Sequence, residues 1–315
     1  VTVPGPPVIA ASAGLLAAVL AGFLTRRAFG DCELPIRRWP MVLAIAAGLL
    51  AAALGWQILV GQCQTTPEVR PTELWGAGRA LYQGILIATL VVITATDLSN
   101  YMISTFVLRW GTAAAIVLAA ISGDLQMAHV WVDWNQAVEQ IRGPYLPEWL
   151  KTHQHLHGLA WSIAGYVVGG GLIWLVRALS SWVLGESAMG SGDIGLMAMI
   201  GAFVGWQPVV IAFLIAPILA VAGAMVTQLR GGARFLPYGP FLAGGALVVM
   251  FFWKAIWMFE VVLAPTQARD DRFSTFAVRR IFGDPIILLG LFGAVIGGTL
   301  ILLGLLRLYR ALPVR

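Results

Sequence analysis

The chain predicts an all-α, polytopic membrane bundle of about nine transmembrane helices, and three observations carry that prediction. Hydrophobic residues fill 59% of its 315 positions and charged residues only 11%, against roughly 25% charged in a soluble domain. Mean hydropathy is +0.84. Apolar runs recur along the chain at lengths that match about 30 Å of hydrocarbon when coiled as helix.

The first run, 8 to 24, follows an uncharged stretch from Val1 to Pro7 and is closed by Arg26 and Arg27. That pattern marks an anchor starting outside the membrane rather than a cleaved signal peptide. Runs follow at 41 to 60, 81 to 96, 104 to 121 and 159 to 184. The next, 194 to 206, is short and passes Gly201, Gly205 and Trp206 before Pro208. It is either a span that starts earlier or a broken helix packed inside the bundle. Runs at 208 to 228, 241 to 262 and 285 to 306 complete the set, and the whole chain, 1–315, reads as one membrane domain.

Basic residues set the orientation. Arg26, Arg27, Arg37 and Arg38, then Arg230 and Arg234, then Arg307, Arg310 and Arg315 fall on alternate connections, which are therefore expected in the cytoplasm with the N-terminus outside and the C-terminus inside. The net charge of +5 and pI near 9.6 speak to topology and anionic lipid, and no nucleic-acid partner is needed to explain them. The segment 122–158 carries mixed charge with Trp131, Trp134, Tyr145 and Trp149, and reads as an outer interfacial insertion. The stretch 263–315 reads as an outer segment plus a final transmembrane helix. Cys32 and Cys63 fall on opposite faces, so they do not pair and make no metal framework.

Two aspartates stand out because each ends or begins an apolar run at the same cytoplasmic face: Asp97 after Leu81 to Thr96, and Asp193 within Gly190-Ser191-Gly192-Asp193. A charge near hydrocarbon costs about 2.5 to 3.5 kcal/mol on insertion scales. Each also has an ordinary reading as a turn or N-cap residue. Ser122-Gly123-Asp124 repeats the tripeptide on the other face, where no second carboxylate accompanies it. Two carboxylates brought together cannot both ionise comfortably, which gives an acid and a base. All four histidines lie on the outer side; His153, His155 and His157 form a water-facing cluster without an acidic or cysteine ligand, so neither metal nor cofactor is expected. Arg177 and Lys254 are read as snorkelling side chains.

Gly190-Ser191-Gly192-Asp193, Leu196-Met197-Ala198 and Gly201-Ala202-Phe203-Val204-Gly205-Trp206-Gln207 resemble the GxGD segment of type IV prepilin peptidases, bacterial membrane aspartyl proteases that trim type IV pilin and type II secretion pseudopilin precursors. Arg38-Trp39-Pro40-Met41-Val42 is similar to that family's Arg-Tyr-Pro-Leu-Val, and Asp97 through Ile103 to its first catalytic Asp and the Ile-Pro after it. Pro237-Tyr238-Gly239-Pro240-Phe241 is similar to its Pro-Phe-Gly-Pro-Phe turn. The resemblance implies Asp97 and Asp193 as the catalytic pair, Gly190, Gly192 and Gly239 as residues that shape the backbone or bind substrate, 81–262 as the catalytic core, and a membrane-anchored precursor as substrate in the bacterial inner membrane.

Departures from the family pattern are also legible. The paired Cys-x-x-Cys domain between the first two spans is replaced by a short connection with one cysteine, Cys32, so methyl transfer is not expected. The family's Lys two positions after the second Asp is Gly195, its Ile-Pro is Ile103-Ser104, and the Glu after Arg-Tyr-Pro-Leu-Val is Leu43. Gly195 leaves room for a second reading, a non-cleaving assembly or scaffold member, and a third class, a proton-coupled carrier, would use intramembrane carboxylates nearer the midplane.

Overall fold

A computed structural model describes residues 4–36, 38–132, 152–186, 189–229, 236–262 and 275–311. The expectations for Arg37, Arg230, Arg234, Arg315 and the aromatic residues Trp134, Tyr145 and Trp149 lie outside the described residues. The elements are α1 (Pro6–Asp31), α2 (Trp39–Leu59), α3 (Glu73–Asn100), α4 (Thr105–Ser122), α5 (Gln154–Leu184), α6 (Ser191–Val204), α7 (Trp206–Leu229) and α8 (Gly239–Trp257). A two-stranded antiparallel ribbon, β1 (Glu260–Val262) with β2 (Thr275–Ala277), then leads through α9 (Val278–Ile281) to α10 (Pro285–Ala311).

Eight of these helices are long and apolar enough to cross a membrane: α1 to α5, α7, α8 and α10. The short run resolves into α6, which begins at Ser191 and spans only 14 residues, about 21 Å at 1.5 Å per residue. That is too short for the hydrocarbon core, yet Leu196 to Val204 are all buried. An all-round apolar helix of this length is stable only when wrapped by other helices. Its closest companion is α5. A Cβ on Gly165 would overlap the carbonyl oxygen of Gly201, and a Cβ on Gly201 that of Gly165, so the two backbones are in direct contact.

Small residues do the same for α1 and α2. Ala10, Ala13, Ala17 and Ala21 form the buried stripe of α1, and a Cβ on Gly14 would come within 2.8 Å of Gly48 O. Apolar solvent offers helices no hydrophobic drive to associate, so close van der Waals approach through small side chains holds such pairs. The centre of the bundle is α3, with 72% of its apolar window buried, whereas α10, at 0%, is wholly on the outside.

One end of the bundle is closed by a knot of buried polar groups. Arg79, fully buried, donates Nη1 to Gln64 O at 3.3 Å and Nη2 to Gln126 O at 2.6 Å. Gln64 and Gln83 exchange side-chain amide bonds at 2.7 and 2.8 Å. Trp206 Nε1 donates to Val130 O at 2.6 Å, Gln207 Nε2 to His129 O at 2.6 Å and Trp253 Nε1 to Met127 O at 3.0 Å. These bonds draw the start of the 122–158 segment inward, so Leu125 to Ala128 are buried rather than lying along the interface. Buried main-chain carbonyls need such partners where water is excluded.

Candidate active site

The other end of the bundle gathers the residues singled out from the sequence. Asp97 lies in the last turn of α3, whose end is set by Tyr101 in a left-handed conformation, its N–H closing back on Asp97 O at 2.9 Å. The turn into α4 is short because Ser104 caps the new helix, its Oγ accepting from Val107 N–H at 3.5 Å and donating to Asp31 Oδ2 at 2.7 Å. Asn100 Nδ2 donates to Cys32 O at 2.8 Å, which ties the connection between α1 and α2 to the same end. Where the family has Pro after Ile, this chain therefore has a hydroxyl that caps one helix and anchors another.

Asp97 is 6% exposed. Its Oδ2 accepts the N–H of Gly239, the first residue of α8, at 3.1 Å. A helix start presents unsatisfied N–H groups, so α8 meets the carboxylate with its positive end. A Cβ on Gly239 would overlap Asp97 Oδ2 and lie 3.5 Å from Leu196 Cδ2. Glycine is required here by the closeness of approach and not by backbone angle.

Asp193 stands in the first turn of α6 and accepts the N–H of Gly190 with Oδ2 at 3.1 Å. It thus reaches back to the residue before its own helix, one half of a capping box. Gly192 packs against Ile103: a Cβ there would sit 3.1 Å from the Ile103 Cβ, which brings the start of α6 onto the turn that carries Asp97. Gly190 differs. Its φ of −74° and ψ of 159° are open to any residue, and an added Cβ would meet only ordinary contact, 3.5 Å from Asp193 Oδ2.

The two carboxylates are close enough for the charge of Asp193 to act on Asp97, and it also acts on Tyr238. Burial first, and the charge of Asp193 second, push the Tyr238 hydroxyl up to about 12, so it stays a neutral donor. Sequence reading singled out Gly239 and passed over its neighbour Tyr238. The signal was there, since Tyr238 places a hydroxyl where the family turn has Phe. Gly195, the position of the family's Lys, faces α4, where a Cβ would come within 2.8 Å of Leu108 Cδ1.

Other candidate chemistry does not converge on this site. Cys32 is bonded near Met102 O at the aspartate end and Cys63 near Met250 O at the opposite end, and both are free thiols. Burial raises both, Cys63 to about 11, so neither is a ready thiolate. The histidines lie at the opposite end: His153 Nδ1 meets Thr152 Oγ1, His155 Nδ1 meets Ala120 O, and His157, buried rather than water-facing, accepts Val130 N–H with Nε2 at 3.2 Å and packs its ring 5.3 Å from that of His129. Among the described residues no group of three or more His, Cys, Asp or Glu is placed to hold a metal ion. Asp124 accepts Thr72 N–H at 3.1 Å at that same far end.

Comparison with known proteins addresses the same part of the chain. Residues 84–225 match the model of the type IV leader peptidase family. Similar curated proteins are the prepilin leader peptidase/N-methyltransferases of Burkholderia pseudomallei, 38% identical over 94 residues (29% of each chain), and of Stutzerimonas stutzeri, 31% identical over 170 residues (52% of this chain and 57% of the relative). That of Aeromonas salmonicida is 28% identical over 225 residues, 67% of this chain and 69% of the relative. The chain therefore spans less than two thirds of the first two relatives. No solved structure matches at a significant level. The matched segment holds Asp97 and Asp193 together with α4, α5, α6 and most of α3 and α7, and through this core the chain is similar to the type IV leader peptidase family.

Proposed function

We propose that the protein is a membrane-embedded aspartyl endopeptidase that cleaves leader peptides from prepilin-like precursors, type IV pilins or type II secretion pseudopilins, at the cytoplasmic membrane face, with Asp97 and Asp193 as its acid/base pair. The observation that carries this reading is the meeting of two carboxylates from separate helices at one end of a membrane bundle, one of them held by the start of a third. Two carboxylates within reach of each other's charge hold one proton between them. The ionised one takes a proton from water as it attacks the peptide carbonyl, and the protonated one donates to the developing oxyanion. Tyr238 supplies a second neutral donor beside Asp193.

Arg26 and Arg27 near the end of α1, and Arg38 before α2, lie at the aspartate end, which supports placing that end in the cytoplasm. The names of the relatives support a precursor with a leader peptide as substrate. The second reading, a non-cleaving scaffold, rests on Gly195 and on the missing paired-cysteine domain between the first two spans, and the approach of the two carboxylates favours cleavage over it. The connection between α1 and α2 is only residues 32–38, which supports cleavage without methyl transfer by these 315 residues.

The test is direct. Purified protein in liposomes is incubated with a prepilin and the products are read by mass spectrometry. Cleavage by the wild type and none by Asp97→Asn or Asp193→Asn is the expected outcome; processing by either variant would refute the assignment.

A further inference from the structure

At the end of the bundle away from the aspartates, a cavity of about 930 Å3 opens between the start of α1, the end of α2, the loop that follows it, the start of α3 and the end of α8. It is lined by two cations, Arg70 and Lys254, and by one carboxylate, Glu73. Among the described residues neither cation has an ion-pair partner, Glu73 included. Ile9 of α1 and Ile58 of α2 give the cavity an apolar side as well. We propose that it binds a phosphate group on Arg70, Lys254 and the hydroxyl of Thr66, carried by a phospholipid headgroup or free in solution. The site is independent of the protease reading.

Thr66 points to a ligand. It lines the cavity yet is only 2% exposed. Its N–H donates to Val69 O at 3.2 Å and its carbonyl accepts Val69 N–H at 3.3 Å, whereas its Oγ1 is buried with no hydrogen-bond partner among the described residues. Buried polar atoms are as a rule bonded, so a hydroxyl left over in a cavity wall is held for what enters. The wall itself is fixed: Lys254 N–H donates to Cys63 O at 2.7 Å, which ties the loop to α8. The 28-residue α3 also starts here, and Thr72 before it makes no side-chain cap, so its first turn keeps N–H groups for an anion.

Charge and shape select phosphate. Its tetrahedral oxygens accept from a guanidinium fork, an ammonium and a hydroxyl at once, more donors than the two oxygens of a carboxylate serve. Two cations against one carboxylate leave the lining positive. Four membrane-length helices, α1, α2, α3 and α8, start or end here, so the cavity stands where apolar spans give way to water, the level of lipid phosphates. Its volume is near the top of the range for small-molecule sites, about 300 to 1,000 Å3, and admits a headgroup with its glycerol as well as a free ion. Lys254 therefore snorkels to a binding site and not merely to water.

Two measurements decide it. Bound lipid is counted by native mass spectrometry on the full chain in a phosphate-free nonionic detergent, with phosphatidylglycerol or with a glucosyl diacylglycerol of the same acyl chains. One tightly held phosphatidylglycerol per chain and no glycolipid assigns the site to a headgroup. In parallel, the melting temperature is read in sodium phosphate against sodium chloride at equal ionic strength, where a rise assigns it to free phosphate. Arg70→Gln with Lys254→Gln should weaken whichever ligand binds by about tenfold or more, and Thr66→Val by about threefold. Arg26→Gln with Arg27→Gln removes the same charge near the other end of α1 and should change neither adduct nor melting shift. Binding of neither ligand, equal retention of the glycolipid, equal loss in the Arg26 and Arg27 variant, or no loss in Thr66→Val overturns the site.

Discussion

The two ends of the bundle handle buried polar groups in opposite ways. At the end holding Arg79, a buried cation is fixed by main-chain carbonyls, amides pair with amides, and tryptophans donate into loop carbonyls. At the other, Asp97 has one backbone donor and a second carboxylate nearby in place of a neutralising cation. The repeated tripeptide shows the contrast in miniature. Ser122-Gly123-Asp124 stops α4 with Gly123 at φ 68° and spends its aspartate on Thr72 N–H, while Ser191-Gly192-Asp193 starts α6 with its aspartate on Gly190 N–H and its charge within reach of Asp97. The lesson is that a motif becomes chemical through what the fold sets opposite it. The hydrogen bonds of the Arg79 end tie loops to helices, even though Arg79 Nε, Gln126 Oε1 and Gln207 Oε1 find no partner among the described residues, whereas the chemistry proposed for the other end rests on two like charges set close together.

The largest effect that could break this comparison is removal of either charge at the aspartate end. Asp97→Asn or Asp193→Asn should lower the cleavage rate by about a thousandfold or more, with unchanged membrane insertion and thermal stability in detergent. Asp124→Asn is the matched control and should leave the rate near that of the wild type. Next comes the stabilising end. Arg79→Met leaves two buried carbonyls without their donors and should cost on the order of 3 kcal/mol, read as a fall in melting temperature, with kcat of the surviving folded protein little changed. Loss of kcat at full stability would break the division of labour.

Smaller changes sharpen it. Gly239→Ala forces a methyl onto Asp97 Oδ2, and displacement of a reacting group by about 1 Å is worth on the order of a hundredfold in rate. Gly190→Ala is the least disruptive, because its backbone is extended and its Cβ would make only ordinary contacts. Activity within about twofold of wild type is expected, the usual scale of a substitution without a named mechanism of damage. A large loss there would mean that substrate, and not the protein's own packing, requires glycine at 190.

Much of the fold was legible because hydropathy over about 20 residues is a strong signal. The ends of helices were less so. The third apolar run starts at 81, yet the helix starts at Glu73, because Arg79 is buried by carbonyls from loops distant in sequence and nothing local announces that. The short run became a buried helix for a similar reason: its companions α5 and α3 decide its depth, not its own composition. Asp97 and Asp193 were legible through motif and topology together. Ile103, Leu196 and Tyr238 lie within the same motifs, but what they touch was not legible, since it depends on contacts made only once α3, α6 and α8 meet. Ser104 read as a departure from pattern, and only the position of Asp31 explains what it does.

The backbone contact between Gly165 and Gly201 has a mechanical consequence. Two helices touching through carbonyl oxygens, with no side chain between them to change rotamer, cannot slide without a clash, so α5 and α6 move as a single stiff body. Asp193 is fastened to that body. Asp97 is fastened to a different one, α3 with the start of α8. The two carboxylates therefore straddle a seam, and in the proposed protease any hinge along that seam must separate or realign them as it opens.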